Sequence, residues 1–109
     1  MTNWTLLETA EQVDEIKKQP GYSIIFKHST RCSISMMAKK RFEMDADELP
    51  ADISLYFLDL IKYREISNKI ATDFQVYHES PQLLLIKDGE CILDQSHGQI
   101  SVEEAVTVI

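Results

Sequence analysis

The chain has 109 residues, of which 44% are apolar and 27% are charged, and its formal net charge is −7. These values are typical of one globular domain, and we expect residues 1–109 to form it. The negative charge disfavours binding to nucleic acid or an anionic membrane, and no apolar run approaches the roughly 20 residues that span a bilayer. The N-terminus lacks the basic and apolar segments of a signal peptide, which predicts a cytoplasmic protein.

The cysteine and histidine content disfavours a metal centre. The two cysteines, Cys32 and Cys91, lie far apart, and the three histidines are scattered along the chain. Zinc sites use clustered ligands at short spacings, so we expect no metal and no tightly bound cofactor. A reducing cytoplasm also disfavours a structural disulfide between the two cysteines.

The first half of the chain predicts a strand–helix–strand–helix–strand order. Residues 4–7 suit a short strand, and a capping box of Thr9 and Gln12 begins a first helix. The apolar runs 22–26 and 54–60 are typical of buried parallel strands. Between them, apolar residues recur at helical spacing in the segment SISMMAKKRFE, which starts at residue 33.

The second half predicts a helix, a hairpin and a final helix. Residues 63–74 have helical periodicity, and Asp88-Gly89 between two apolar runs is a strong hairpin signal. Ser101 and Glu104 suggest a second capping box before the C-terminal helix. The order βαβαβαββα predicts an α/β fold in which helices flank a central mixed sheet. The acidic run 45–52 is predicted to be the most mobile loop.

The strongest chemical signal is Cys32, which directly follows a predicted buried strand and begins a helix. The positive end of the helix dipole, the adjacent Arg31 and the unpaired first-turn N–H groups all favour a thiolate at this position. We expect the backbone N–H groups of Ile34 and Ser35, and the Ser35 hydroxyl, to donate hydrogen bonds to it. The alternative is that Cys32 merely fills a strand-to-helix corner, with Ser33 and Ser35 as routine first-turn residues.

Ser35 lies three residues after Cys32, where a dithiol enzyme would have a resolving cysteine. A serine cannot attack a mixed disulfide, so an external thiol would have to regenerate Cys32. Cys91 fits a buried core thiol better than a resolving thiol, because free cysteine is among the most buried residue types. Pro81 begins a strand, which is an ordinary place for proline.

Two stretches, FKHSTRCSISMMA at 26–38 and YHESPQLLLIKDGE at 77–90, resemble the monothiol bacilliredoxin family of the bacillithiol system. The resemblance spans nearly the whole chain and implies a thioredoxin-like fold. The family usually carries Cys-Pro-Ile-Ser, and here Ser33 replaces the proline. By the fold, the Ser80–Pro81 bond would be cis, and the Ser80 backbone would hydrogen-bond the substrate opposite Cys32.

The resemblance also implies an activity. Cys32 would remove bacillithiol from S-bacillithiolated client proteins, with bacillithiol as a co-substrate and with bacillithiol or a partner protein as reductant. We infer that Arg31 and Lys27 are chemically suited to bind the malate carboxylates of bacillithiol. Two alternatives remain open, a non-catalytic thioredoxin-like binding module and a dithiol enzyme in which Cys91 resolves the disulfide.

Overall fold

The computed structural model describes residues 3–109. The strands in this range are β1 (Trp4–Leu6), β2 (Tyr22–His28), β3 (Ser54–Asp59), β4 (Gln82–Lys87) and β5 (Glu90–Ser96). The α-helices are α1 (Ala10–Lys18), α2 (Ser33–Asp45), α3 (Arg64–Asp73) and α4 (Val102–Val106). The predicted order βαβαβαββα is confirmed. No helix of the described chain is long and apolar enough to cross a bilayer.

The strands form one mixed sheet in the order β1-β3-β2-β4-β5. β1, β3 and β2 are parallel, while β4 and β5 run antiparallel to their neighbours. Asp88 and Gly89 both have positive φ, 50° and 84°, as a two-residue hairpin turn requires. A Cβ atom at Gly89 would also collide with the backbone carbonyl of Lys17, so only glycine fits there.

Apolar side chains of the sheet alternate between two cores. Ile25, Leu84 and Ile86 face the core that contains Val13 of α1 and Ile70 of α3. The opposite core consists of residues from β2, β4, α2, α4 and the segments beside them: Ile24, Phe26, Ala38, Phe42, Leu49, Leu83, Leu85, Ile100 and Val102. Covering both faces explains why the central strands contain unbroken apolar runs, 24–26 in β2 and 83–86 in β4.

The structure differs from the sequence predictions at three places. β2 continues past Phe26 to His28, because Lys27 and His28 still pair with β3, and both side chains are buried although they are polar. The segment 45–52, which was predicted to be a loop, contains a 3-10 helix, Ala46–Glu48, and the buried side chain of Leu49, while its mobility stays a prediction. The Ser101 N–H donates to the Gln95 side chain at 3.2 Å, so only the Ser101-to-Glu104 half of the predicted second capping box is made.

Candidate active site

Cys32 is the N-cap residue of α2 and lies four residues beyond the end of β2. A tight turn places it there, in which the Cys32 N–H donates to the Ser29 carbonyl at 3.2 Å. The Cys32 carbonyl accepts the Met36 N–H at 3.0 Å and so begins the helix. The first turn of α2 contains no acidic residue, and the N–H groups of Ile34 and Ser35 have no intrahelical acceptor. The helix therefore presents its positive end to the half-buried thiol.

Ser35 is fully buried beneath this turn. Its Oγ accepts the Ser29 N–H at 3.0 Å and lies 2.7 Å from Nδ1 of His28. Among residues 3–109, no hydrogen bond joins Ser35 Oγ to Cys32 Sγ. The hydroxyl that we expected to donate to the thiolate instead ties α2 to the end of β2 and to the turn before Cys32.

His28 is a part of the site that sequence reasoning missed. Its ring is buried between Phe26 and Phe57, with ring centroids 6.5 Å and 5.3 Å away. Burial lowers the pKa of His28, and the charge of Lys39 lowers it further, so the ring is neutral at neutral pH. Seven residues separate His28 from Ser35, and only the turn of the chain after β2 brings them together.

The Ser80–Pro81 peptide bond is cis, as the resemblance implied. Gln82, the first residue of β4, pairs with Lys27 near the end of β2. This register puts Pro81 and Cys32 at the same end of the sheet. The Pro81 carbonyl accepts the His97 N–H at 3.0 Å, which links the residue before β4 to the residue that follows β5.

Lys27 does not face the surrounding solvent, contrary to our inference that it binds substrate carboxylates. Its side chain is fully buried on the α3 side of the sheet. Nζ donates to the Ser67 carbonyl at 3.2 Å and lies 3.4 Å from Nδ1 of His78. Burial lowers the Lys27 pKa from 10.5 to about 8. Arg31 is exposed beside Cys32 and stays available for a carboxylate.

Cys91 lies at the opposite end of the sheet. It pairs with Ile86, which in turn pairs with Ser23 at the start of β2. The five residue-to-residue steps from Ser23 to His28 span about 17 Å, whereas a disulfide requires Cα atoms within roughly 7 Å. Burial also raises the pKa of the Cys91 thiol to about 11. In this fold Cys91 cannot resolve a disulfide at Cys32.

Exposed apolar side chains surround the Cys32 end of the molecule. Ile34, Met36 and Met37 of α2 are largely exposed, and so is Tyr77 in the segment before Pro81. Clustered apolar exposure of this kind is typical of a surface that contacts another molecule. Among residues 3–109, no group of three or more His, Cys, Asp or Glu side chains is arranged to hold a metal ion.

Comparison with known proteins agrees with this geometry. The family model for monothiol bacilliredoxin BrxC matches residues 5–105. The chain belongs to the monothiol bacilliredoxin family. In this bacilliredoxin the family's usual proline is Ser33, which is the first helical residue of α2 and is exposed. Proline and serine both suit a first helical turn, so the exchange leaves the helix start intact.

Solved structures show the same fold. A candidate oxidoreductase with a thioredoxin fold is 30% identical, with a TM-score of 0.82 over 94% of this chain and 89% of that chain. Thioredoxin from Fasciola hepatica is 18% identical, with a TM-score of 0.74 over 94% and 96%. Mitochondrial thioredoxin 3 from Saccharomyces cerevisiae is 19% identical, with a TM-score of 0.73 over 97% and 95%. The bacilliredoxin therefore has the thioredoxin-like fold.

Proposed function

We propose that this bacilliredoxin is a cytoplasmic thiol–disulfide oxidoreductase that removes bacillithiol from S-bacillithiolated proteins through Cys32. The observation that carries the proposal is that the Cys32 thiol lies at a helix N-terminus, at the same end of the sheet as Pro81, while the other thiol lies at the far end. Membership of the bacilliredoxin family supports bacillithiol as the thiol that is transferred.

The reaction is a pair of thiol–disulfide exchanges. The Cys32 thiolate attacks the bacillithiol sulfur of the client mixed disulfide. A bond forms between Cys32 and bacillithiol, the client disulfide breaks, and the client cysteine leaves as a thiolate that takes a proton from solvent. A second thiolate, from bacillithiol or a reductant protein, then attacks the bound bacillithiol sulfur. It forms a new disulfide with bacillithiol and returns Cys32 as a thiolate.

The surroundings of Cys32 suit each participant. The N-terminus of α2 stabilises the attacking and departing thiolate. The Ser80 backbone beside Pro81 would hydrogen-bond the extended client segment, and Ile34 and Met37 would contact its apolar side chains. We expect Arg31 to bind a malate carboxylate of bacillithiol, because its side chain is exposed next to the thiol.

Intact-mass spectrometry of protein treated with oxidised bacillithiol tests the proposal. We expect one bacillithiol adduct, lost in Cys32→Ala and retained in Cys91→Ser. The purified protein should also restore the free thiol of a bacillithiolated client. Absence of any adduct in the wild type would refute the proposal and favour a non-catalytic binding module. An adduct that converts to an internal disulfide, and does so only with Cys91 present, would favour a dithiol enzyme.

A separate comparison tests the choice of bacillithiol. Arg31→Ala should raise KM for a bacillithiolated peptide about twofold to fivefold, the range expected for one exposed ion pair. The same peptide carrying a cysteamine mixed disulfide has no carboxylate on the transferred thiol, so its KM should not change. Lys62→Ala, at an exposed site after β3, is the control. Equal effects on both peptides would contradict a role of Arg31 in binding malate.

A further inference from the structure

A buried lysine without a carboxylate partner lies at the active-site end of the sheet. Lys27 is one of the largest fully buried side chains. Among residues 3–109, no carboxylate oxygen lies within 4 Å of its Nζ. A buried charge is normally paired, because removing an ammonium group from water is costly. An unpaired one beside a reactive site suggests a functional role.

The contacts of Lys27 join three parts of the fold. Its backbone belongs to β2, its Nζ donates to the Ser67 carbonyl of α3 at 3.2 Å, and the same Nζ lies 3.4 Å from Nδ1 of His78. Ser67 Oγ is also 3.3 Å from Nδ1 of His78. Burial and the charges of Lys27 and Arg64 lower the pKa of His78, so its ring is neutral at neutral pH and Nδ1 can accept a hydrogen bond.

His78 lies in the segment that leads to the cis proline, residues 77–81, which we call the proline loop. A second anchor holds the same loop, because the Gln82 side chain donates to the Tyr77 carbonyl at 2.9 Å. Gln82 is fully buried and pairs directly with Lys27 in the sheet. The buried side chains of Lys27 and Gln82, which are neighbours in the sheet, therefore both hydrogen-bond the proline loop. Gln82 binds it at Tyr77 and Lys27 binds it at His78.

We propose that Lys27 is a positioning residue, which through His78 and Ser67 holds the proline loop where the Ser80 backbone meets a substrate bound at Cys32. This inference rests on the proposed thiol-exchange activity. It assigns to Lys27 no contact with substrate and no effect on the Cys32 thiol itself. A lysine reaches this position from the strand, since its long flexible stem extends from β2 to the base of the loop.

Kinetics with a bacillithiolated peptide test the proposal. Lys27→Met removes the hydrogen-bond donor and keeps a long apolar side chain. KM should therefore rise about tenfold, which corresponds to the upper end of the range for one lost hydrogen bond. The value of kcat should change less than twofold. Alkylation of Cys32 by iodoacetamide, which does not engage the loop, should keep its wild-type rate. Lys87→Met, the same change at the far end of β4, should match the wild type throughout.

A second pair of variants tests the acceptor. His78→Asn places an amide oxygen near the position of Nδ1 and should retain a near wild-type KM. His78→Leu has no acceptor and should behave like Lys27→Met. If Lys27→Met failed to fold, this pair would still decide the question. Equal KM values for His78→Asn and His78→Leu would overturn the proposal.

Two further results separate this inference from the proposed function. Backbone amide exchange in the proline loop should be faster in Lys27→Met, and this readout requires no reaction. If wild-type protein formed no adduct, the proposed function would fail while amide exchange still tested the loop contact. If Lys27→Met slowed iodoacetamide alkylation as much as peptide turnover, Lys27 would act on the thiol directly and the positioning role would be wrong.

Discussion

Replacement of Lys27 by methionine should stabilise the folded protein at neutral pH. Burial lowers the Lys27 pKa from 10.5 to about 8, and this difference corresponds to a cost of about 3 kcal/mol for keeping the amine charged in the folded state. Methionine removes that cost and loses the two hydrogen bonds of Nζ, to the Ser67 carbonyl and to Nδ1 of His78, which together are worth about 2 kcal/mol. The net expectation is a gain of about 1 kcal/mol in the free energy of unfolding at pH 7, consistent with the effect of replacing buried charges by apolar residues.

The gain in the free energy of unfolding of Lys27→Met should become smaller as the pH rises. Because the folded pKa lies below the unfolded value, folding releases a proton from Lys27 between about pH 8 and pH 10.5. The contribution of Lys27 to the free energy of unfolding of the wild type therefore rises with pH between about pH 8 and pH 10.5. Methionine does not titrate, so the stability advantage of Lys27→Met should fall as the pH rises, reach zero at about pH 9 and become a deficit of about 1 kcal/mol at pH 10.

Urea unfolding at pH 7 and pH 10 measures both quantities. The single tryptophan, Trp4, packs against Phe26 and Phe42 and should report unfolding by fluorescence. Lys87→Met provides the control, because Lys87 is exposed. The difference in the free energy of unfolding between Lys87→Met and the wild type should be the same at pH 7 and pH 10. A less stable Lys27→Met at pH 7, or a gain of the same size at both pH values, would refute the reasoning.

Three other perturbations follow from the described contacts. Iodoacetamide at pH 7.5 should label Cys32 and spare Cys91, whose thiol is half-buried with its pKa raised to about 11, and peptide mass mapping would expose a labelled Cys91 as a contradiction. Gly89→Ala should destabilise the protein by more than 1 kcal/mol in urea unfolding, because of its positive φ and its collision with a backbone carbonyl, whereas Gly98→Ala has free space and should be nearly neutral. Ser35→Ala should cost about 1–3 kcal/mol by leaving the partly buried Ser29 N–H without its acceptor, and an unchanged urea midpoint would show that this hydroxyl contributes little.

Local sequence signals predicted the fold well where the interaction partners are close in the chain. The Thr9–Gln12 capping box is present in full, and Asp88-Gly89 forms the predicted turn. Both depend on backbone geometry within a few residues, which the residue types largely determine. The near-continuous apolar runs at 22–26 and 54–60 likewise indicated strands that are covered on both faces.

The parts of the site that sequence reasoning missed depend on distant contacts. Lys27 and His28 resemble the start of a loop in sequence, because polar residues are rarely buried at a strand end. Their burial follows from α2 and α3 covering opposite faces of the sheet, which no local pattern reports. The 3-10 helix in the acidic segment 45–52 was not predicted for the same reason, since the contact of Leu49 with the core is not visible in the local sequence.

The contacts of Ser35 bear on how this site could evolve. A hydroxyl fits between the Ser29 amide and the His28 ring at 3.0 Å and 2.7 Å, whereas a thiol is larger and a weaker hydrogen-bond acceptor. Introduction of a second cysteine at position 35 would thus disturb the packing beneath Cys32 and lower stability, measurable as a reduced urea midpoint in Ser35→Cys. The hydrogen bonds beneath Cys32 therefore favour the single-thiol site, so variants of this protein would more easily change their partners than acquire a second cysteine at this position.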